Sequence, residues 1–267
     1  MKKIGKLLLV LAITALAVTS CTTENQADSR LDAILESGKM ICATSADFPP
    51  MEFINDDGTF DGFDIDFINE LGNRMGVTVE MWDMPFDSLI QSLAEGKIDC
   101  VIAGMGPSEE RDKQVDFSIS YKERVYAVMS AIDSDVVVNE FDDIAKYRLG
   151  TLSGGVQVEL FRSRWLETGM MPEENLMFYD RTDSGILDLV AGRLDLWWSQ
   201  DVVVQDWVKR EPVKSAFIVP GDIIGGATVI SLPEGDTELK AKFDELITEM
   251  IEDGFRDSLL DIWGIPR

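Results

Sequence analysis

Two periodicities take turns along the chain. From Phe63 to Met75 the apolar residues Phe63, Ile65, Phe67, Ile68, Leu71 and Met75 fall at helical spacing, and Gly76 supplies a stop. Val77 to Trp82 then alternates with a period of two, as a half-buried strand does. The exchange repeats on either side. Leu31 to Leu35 reads as a short helix ending at Gly38, and Met40 to Thr44 as a strand. Phe86 to Glu95 reads as a helix closed by Gly96, Cys100 to Ala103 as an apolar strand, and Ser108 to Val115 as another helix. A second series follows, with strands at Tyr126 to Met129 and Arg148 to Leu152, a helix from Val156 to Trp165 and a strand from Leu176 to Tyr179. A helix from Ser184 to Ala191 and a strand from Leu194 to Trp198 continue it. After the glycines of 221–226 come a strand, Thr228 to Ser231, and a long helix, Thr237 to Glu252. Strand and helix in rotation predict an α/β fold with parallel-rich sheets covered on both faces. Two such series without a long linker predict two lobes in close contact.

The first twenty residues break the pattern. Lys2, Lys3 and Lys6 precede the apolar run Leu7 to Ile13, and small residues lead to Ser20 and Cys21. A basic start, a short apolar stretch and small residues describe a secretory signal peptide over 1–20. The run falls short of the ~20 residues that span a bilayer. Val18-Thr19-Ser20-Cys21 resembles a bacterial lipobox, which implies a lipid on Cys21 as the mature N-terminus. Thr22 to Ser29 is polar and aperiodic, so 21–30 reads as the lipidated cysteine and a flexible tether.

Composition narrows the chemistry. The 49 acidic residues against 24 basic ones give a formal charge of −25, which argues against a nucleic-acid partner. The chain has no histidine, so the Ser-His-Asp and Cys-His nucleophiles and histidine-ligated zinc are excluded. No resident metal or cofactor is expected. Cys42 and Cys100 each lie in an apolar strand-like run; buried free thiols and a bridge between neighbouring strands both stand open.

Several runs together resemble the bacterial extracellular solute-binding proteins of family 3, the amino-acid receptors of ABC importers. They are Phe48-Pro49-Pro50-Met51-Glu52-Phe53 with Gly62-Phe63-Asp64-Ile65-Asp66, then Phe86-Asp87-Ser88-Leu89-Ile90 with Gly96-Lys97-Ile98-Asp99. Glu110-Arg111 to Asp116-Phe117-Ser118, Gly192-Arg193-Leu194-Asp195 and the closing Glu252 to Gly264 follow in the family's order. The resemblance implies a two-lobed periplasmic-binding-protein type II fold with a two-strand hinge. Lobe 1 takes 31–124 and 225–267, and lobe 2 takes 125–224.

The resemblance also implies site residues. Arg111 corresponds to the arginine that takes the ligand's α-carboxylate, and a guanidinium suits that two-point grip. Ser108 can cap the expected helix, with Gly104 and Gly106 on the approach to it. Gly154, Gly155 and Val156 form the strand-to-helix turn that faces Arg111 across the cleft, where backbone N–H groups can meet an anion. Phe48 and Phe86 correspond to the aromatic positions around the ligand's side chain. One of Trp197 and Trp198, which must point to opposite faces of a strand, can join them.

Four positions depart from the family. Gly106 stands where a hydroxyl residue is usual, and Val156 replaces another. The acid that takes the ligand's ammonium becomes Gln200, with Asp201 one place on, and a second acidic position is Ser45. The anion grip is therefore expected to survive and the ammonium grip to be weak. A small carboxylate is the expected ligand, with poor binding of common polar amino acids. The expected protein is a monomeric, non-enzymatic binding protein. It is held by its lipid on the extracytoplasmic face of a membrane, where it serves ABC permease subunits. Two alternatives share the fold. One is a cyclohexadienyl-dehydratase-like enzyme, for which Asp201, Glu52 and Asp47 are the only evident general acids. The other is a component that presents its ligand to a membrane sensor.

Overall fold

The computed structural model describes residues 29–267. The signal peptide, Cys21 and nearly all of the tether lie outside the described residues. Two five-stranded sheets carry the rest. The first is built from Thr78–Asp83, Lys39–Thr44, Cys100–Val101, Ser231–Pro233 and Val115–Phe117, in that spatial order. Its first three strands are parallel, and Ser231–Pro233 runs antiparallel to both neighbours. The second runs Leu176–Tyr179, Leu149–Leu152, Leu196–Gln200, Tyr126–Ala131 and Val213–Ile218, the first three again parallel. Each sheet has its own apolar core, so each lobe buries its own surface. A two-stranded ribbon, Lys122–Arg124 with Gly226–Thr228, joins the lobes. This is the two-lobed, two-strand-hinge α/β architecture expected from the sequence.

The helix Phe63–Met75 forms where its spacing predicts. Asp64 and Asp66 occupy its first turn and Arg74 its last, matching the helix dipole, and Gly76 stops it at φ +80°. Thr237–Glu252 also matches, with Asp236 accepting from the Leu239 N–H as N-cap.

Two expectations are corrected, and one helix was not expected. The helix at Ser108 to Val115 is absent; only the 3-10 turn Arg111–Lys113 forms, followed by the strand Val115–Phe117. Between Pro107 and Val115 no apolar side chain offers a face to pack, and tertiary packing is what sustains short helices. The run Thr228 to Ser231 is two strands rather than one. Thr228 pairs with Lys122 in the hinge ribbon, and Ser231 pairs with Val101 and Phe117 in the first sheet. The helix Asp201–Arg210 forms although Val202-Val203-Val204 is β-branched, which lowers helix propensity. It lies between the lobes, so all three valines are buried: Val202 and Val203 pack into the first lobe's core, and Val204 into the second's.

Cys42 and Cys100 face each other across adjacent parallel strands and form a disulfide, with Cα atoms 4.6 Å apart. Trp197 and Trp198 take opposite faces, as alternation requires. Trp197 enters the core with Ile186 and Leu189, and Trp198 the one with Phe161 and Trp165.

Candidate functional site

A cleft of about 520 Å3, open mouth included, lies between the lobes. Its walls begin where parallel strands end, the usual place for a ligand in open α/β sheets. Lys39–Thr44 leads to Ser45, Cys100–Val101 to the Ala103–Gly106 segment, Leu149–Leu152 to Gly155 and Val156, and Leu196–Gln200 ends on Gln200.

Arg111 is the centre of one wall. Its own element is a single turn, in which the Arg111 N–H donates to Ser108 Oγ at 3.3 Å. The guanidinium is buried and stands 5.4 Å from the Phe86 ring centroid. Nη1 donates to the Gly106 carbonyl, and Nη2 to the Gly154 carbonyl of the other lobe at 2.7 Å. Both acceptors are neutral. Burial, with Arg124 nearby, pulls the Arg111 pKa down to about 10, so it stays cationic at neutral pH.

Ser45, Phe48, Phe86, Gly104, Gly106, Gly155, Val156 and Gln200 also line the cleft. Gly104 needs its missing side chain: φ is +54°, and a Cβ would lie 3.0 Å from Gln200 Nε2 and 3.2 Å from the Phe48 ring. Gln200 Nε2 donates to the Gly104 carbonyl at 2.7 Å, leaving Oε1 buried without a partner among the described residues. Trp198 joins the lining and packs against Tyr126, with ring centroids 5.2 Å apart.

Ser108, Gly154 and Asp201 do not line the cleft. Ser108 caps the turn that carries Arg111, and Gly154 contributes its carbonyl from behind. Asp201 is the first residue of its helix and accepts from Gln205 Nε2 at 3.3 Å; the strand delivers Gln200 to the cleft and turns away one residue later.

The cleft is not free of carboxylates, which corrects the expectation of an acid-poor site. Asp47 and Glu52 both line it. Their sequence signal was available, since both flank the Pro49-Pro50 run and were visible as general-acid candidates. Asp47 is engaged: Ser45 Oγ donates to Oδ1 at 2.9 Å, the Thr182 N–H of the other lobe donates to Oδ2, and Arg181 Nε stands 3.6 Å away. Glu52 is buried with Oε2 unpartnered among the described residues. Burial, and the charges of Asp64 and Asp47, push its pKa well above the usual carboxylate range and favour the protonated form.

Behind it, Asp64 accepts from the Gly104 N–H at 2.8 Å and from the Tyr121 hydroxyl. Burial raises the Asp64 pKa to about 6, and burial lowers that of nearby Lys122 to about 8.

Arg124 is the residue the sequence reading missed. It closes the first hinge strand and lines the cleft with its guanidinium 5.4 Å from the Tyr126 ring centroid. The cue to it is spatial: Gly106, lacking a side chain, leaves the space that the Arg124 guanidinium fills.

Contacts run directly between the lobes. Arg111 to Gly154, Gln200 to Gly104 and Thr182 to Asp47 are joined by Arg181 Nη1 donating to Asp83 Oδ1 at 3.0 Å. The lobes are therefore closed on each other, with the buried cations on the inside.

Comparison with known proteins agrees with this geometry. The family profile of bacterial extracellular solute-binding proteins, family 3, matches residues 40–266. The arginine-binding extracellular protein ArtP of Bacillus subtilis (strain 168) is 30% identical over 259 residues, covering 96% of each chain. The lysine/arginine/ornithine-binding periplasmic protein of Escherichia coli (strain K12) is 28% identical, covering 81% of this chain and 84% of that one. Among solved structures, an ancestral arginine-binding protein bound to arginine superposes with a TM-score of 0.77 at 30% identity, covering 85% of this chain and 98% of that one. An ancestral amino acid-binding protein described as a precursor of cyclohexadienyl dehydratase gives 0.78 at 26% identity, covering 88% and 99%. The neighbour that touches the dehydratase alternative is thus itself described as a binding protein. By sequence, by fold and by the placement of its cleft, the chain belongs to the bacterial extracellular solute-binding proteins, family 3.

Proposed function

We propose that the chain is the extracytoplasmic binding component of an amino-acid ABC importer, closing on an amino acid or related small carboxylate and handing it to permease subunits. The observation that carries this reading is Arg111. Among the described residues it is a buried cation with no carboxylate partner, bonded to carbonyls of the two lobes it joins. A buried guanidinium without a counter-ion is costly, and an anionic ligand that arrives on closure offsets the cost. The ligand's carboxylate lies against Arg111 and the Gly155–Val156 turn, with its remaining atoms between Phe48, Phe86 and Trp198. Ser45, Gly104, Gly106 and Gln200 shape the floor, while Ser108, Gly154 and Asp201 support from outside the lining.

The lobes divide at 124/125 and 224/225, and the protein acts as a monomer. Residues 1–20 direct export and are removed, and lipid on Cys21 holds the protein outside a bacterial membrane through a tether ending near residue 30. Cys21→Ser should then move the protein from the membrane to the soluble fraction with its binding intact; continued retention would refute the anchor.

The test of the binding role is to denature purified protein, identify any released small molecule by mass spectrometry, and titrate it back by calorimetry. One carboxylate bound per chain and recovered unchanged is expected. Chemical conversion of the ligand would replace this reading with an enzymatic one, and binding unaffected by changes at Arg111 would place the site elsewhere.

A further inference from the structure

The cleft holds a second buried guanidinium that nothing in the first grip requires. Arg124 is 5% exposed. Its one hydrogen bond is long, from Nη2 to the Gly225 carbonyl at 3.4 Å, and its Nε has no partner among the described residues. Like Arg111, it joins no ion pair among the described residues and rests against an aromatic ring. The two arginines bracket the same residue. Arg111 Nη1 donates to the Gly106 carbonyl, and a Cβ on Gly106 would lie 1.5 Å from Arg124 Nη1. The guanidinium of Arg124 thus occupies the space that any side chain at position 106 would fill.

The charges that face the cleft are Asp47, Glu52, Arg111 and Arg124. Asp47 is held by the Thr182 N–H and shares Arg181 with Asp83. Burial and the carboxylates beside Glu52 favour its protonated form. Behind the lining, Asp64 and Lys122 attract and offset each other. Arg111 and Arg124 are left without a carboxylate partner among the described residues. A neutral amino acid brings one carboxylate for these two guanidiniums, and a cationic one adds a further positive charge. A ligand with two acidic groups can meet both guanidiniums.

We propose that Arg124 is a second anion anchor and that the cleft selects a ligand bearing two acidic groups, a short dicarboxylate or an acidic amino acid. This rests on the solute-binding reading above. It separates the chain from relatives named for arginine, lysine or histidine, whose ligands carry one acidic group and up to one further positive charge.

The test is calorimetric titration of the full chain, freed of bound ligand, with matched pairs: glutamate against glutamine, aspartate against asparagine, succinate against succinamate, and arginine as a cationic probe. The doubly acidic member of at least one pair should bind more tightly by about ten-fold or more. Arg124→Gln should bring that ratio to within about three-fold of unity. Arg124→Lys keeps a point charge but loses the fork, and should leave an intermediate ratio. Circular dichroism and melting curves establish that each variant is folded, and should the glutamine variant not fold, the lysine variant decides alone. If glutamine, asparagine or arginine binds as tightly as the doubly acidic probes, or Arg124→Lys leaves every ratio unchanged, the proposal is wrong and the solute-binding reading stands. If no probe and no other amino acid or carboxylate binds, both are wrong.

Discussion

The cleft contains two sets of buried charges, and they have been treated in opposite ways. The carboxylates are already dealt with by the protein: Asp47 by the Thr182 N–H and an Arg181 shared with Asp83, Glu52 by burial that favours its protonated form, Asp64 by Gly104, Tyr121 and Lys122. The guanidiniums of Arg111 and Arg124 are left with neutral carbonyls and aromatic faces. Counting ionisable residues would call the cleft balanced. Counting unmet charge makes it cationic, and unmet charge is what a ligand can satisfy.

The largest break in that comparison should come from Arg111→Ala. Removing one partner of a desolvated charged pair typically costs ~2–5 kcal/mol, so ligand affinity should fall by roughly 30- to 4000-fold in a titration. A change within a few-fold would mean that Arg111 is not the principal anion contact. Arg111→Lys retains the charge without the planar fork and should fall between.

Gly106→Thr should act next most strongly, and through the other arginine. With Arg124 Nη1 only 1.5 Å from the position of a new Cβ, the guanidinium must leave. On the two-anchor proposal, a doubly acidic ligand should lose about ten-fold in affinity while its singly acidic counterpart changes less. Equal losses on both would indicate general disruption of the wall rather than loss of one anchor.

Asp47→Ala probes the opposite set. Asp47 holds Thr182 and Arg181 across the lobe boundary, so its loss should weaken closure for every ligand alike. A hydrogen bond typically contributes about 0.5–1.5 kcal/mol net, so affinity should fall by a few-fold, up to roughly ten-fold, without changing the order of preference. A reversal of preference would mean that Asp47 touches the ligand.

Most of the architecture was legible because periodicity and burial agree over long stretches. Phe63–Met75 and Thr237–Glu252 carry a single apolar face each, and both form at the residues the spacing marks. Legibility failed where an element is shared between lobes or packs on nothing. Asp201–Arg210 opens on three consecutive β-branched valines split between the two lobes' cores, whereas the Arg111 segment has no apolar face at all. The same division applies to the cleft. Arg111, Phe48 and Phe86 sit in runs that resemble a family and were found by them, and the Gly155–Val156 turn follows a strand the pattern marks. Arg124 lies outside those runs and is explained only by a vacancy at Gly106, which is a fact of three dimensions. Glu52 was visible as a residue, but its protonation depends on Asp64 and Asp47 lying near it in space.

The smallest effect on binding, and the sharpest test of the acidic set, is expected from Asp64→Asn. Asp64 does not line the cleft, so affinity should stay within a few-fold; the change should instead appear in stability against pH. The Asp64 pKa is raised by burial from 3.8 to about 6. Between those values the folded protein binds more protons than the unfolded chain, so stability falls as pH rises through this window. At about 1.4 kcal/mol per unit the loss amounts to roughly 3 kcal/mol. Asp143, held down to about 2 first by Lys146 and then by the Asn139 N–H, works in the opposite sense but below this window. Asparagine keeps an acceptor for the Gly104 N–H and cannot ionise, so the decline in melting temperature between pH 4 and about 6 should become shallower, with the raised Glu52 and Asp47 supplying the rest. If the decline persists unchanged, Asp64 is not the group that ionises there, and burial of the acidic set is not what keeps its charge away from the cleft.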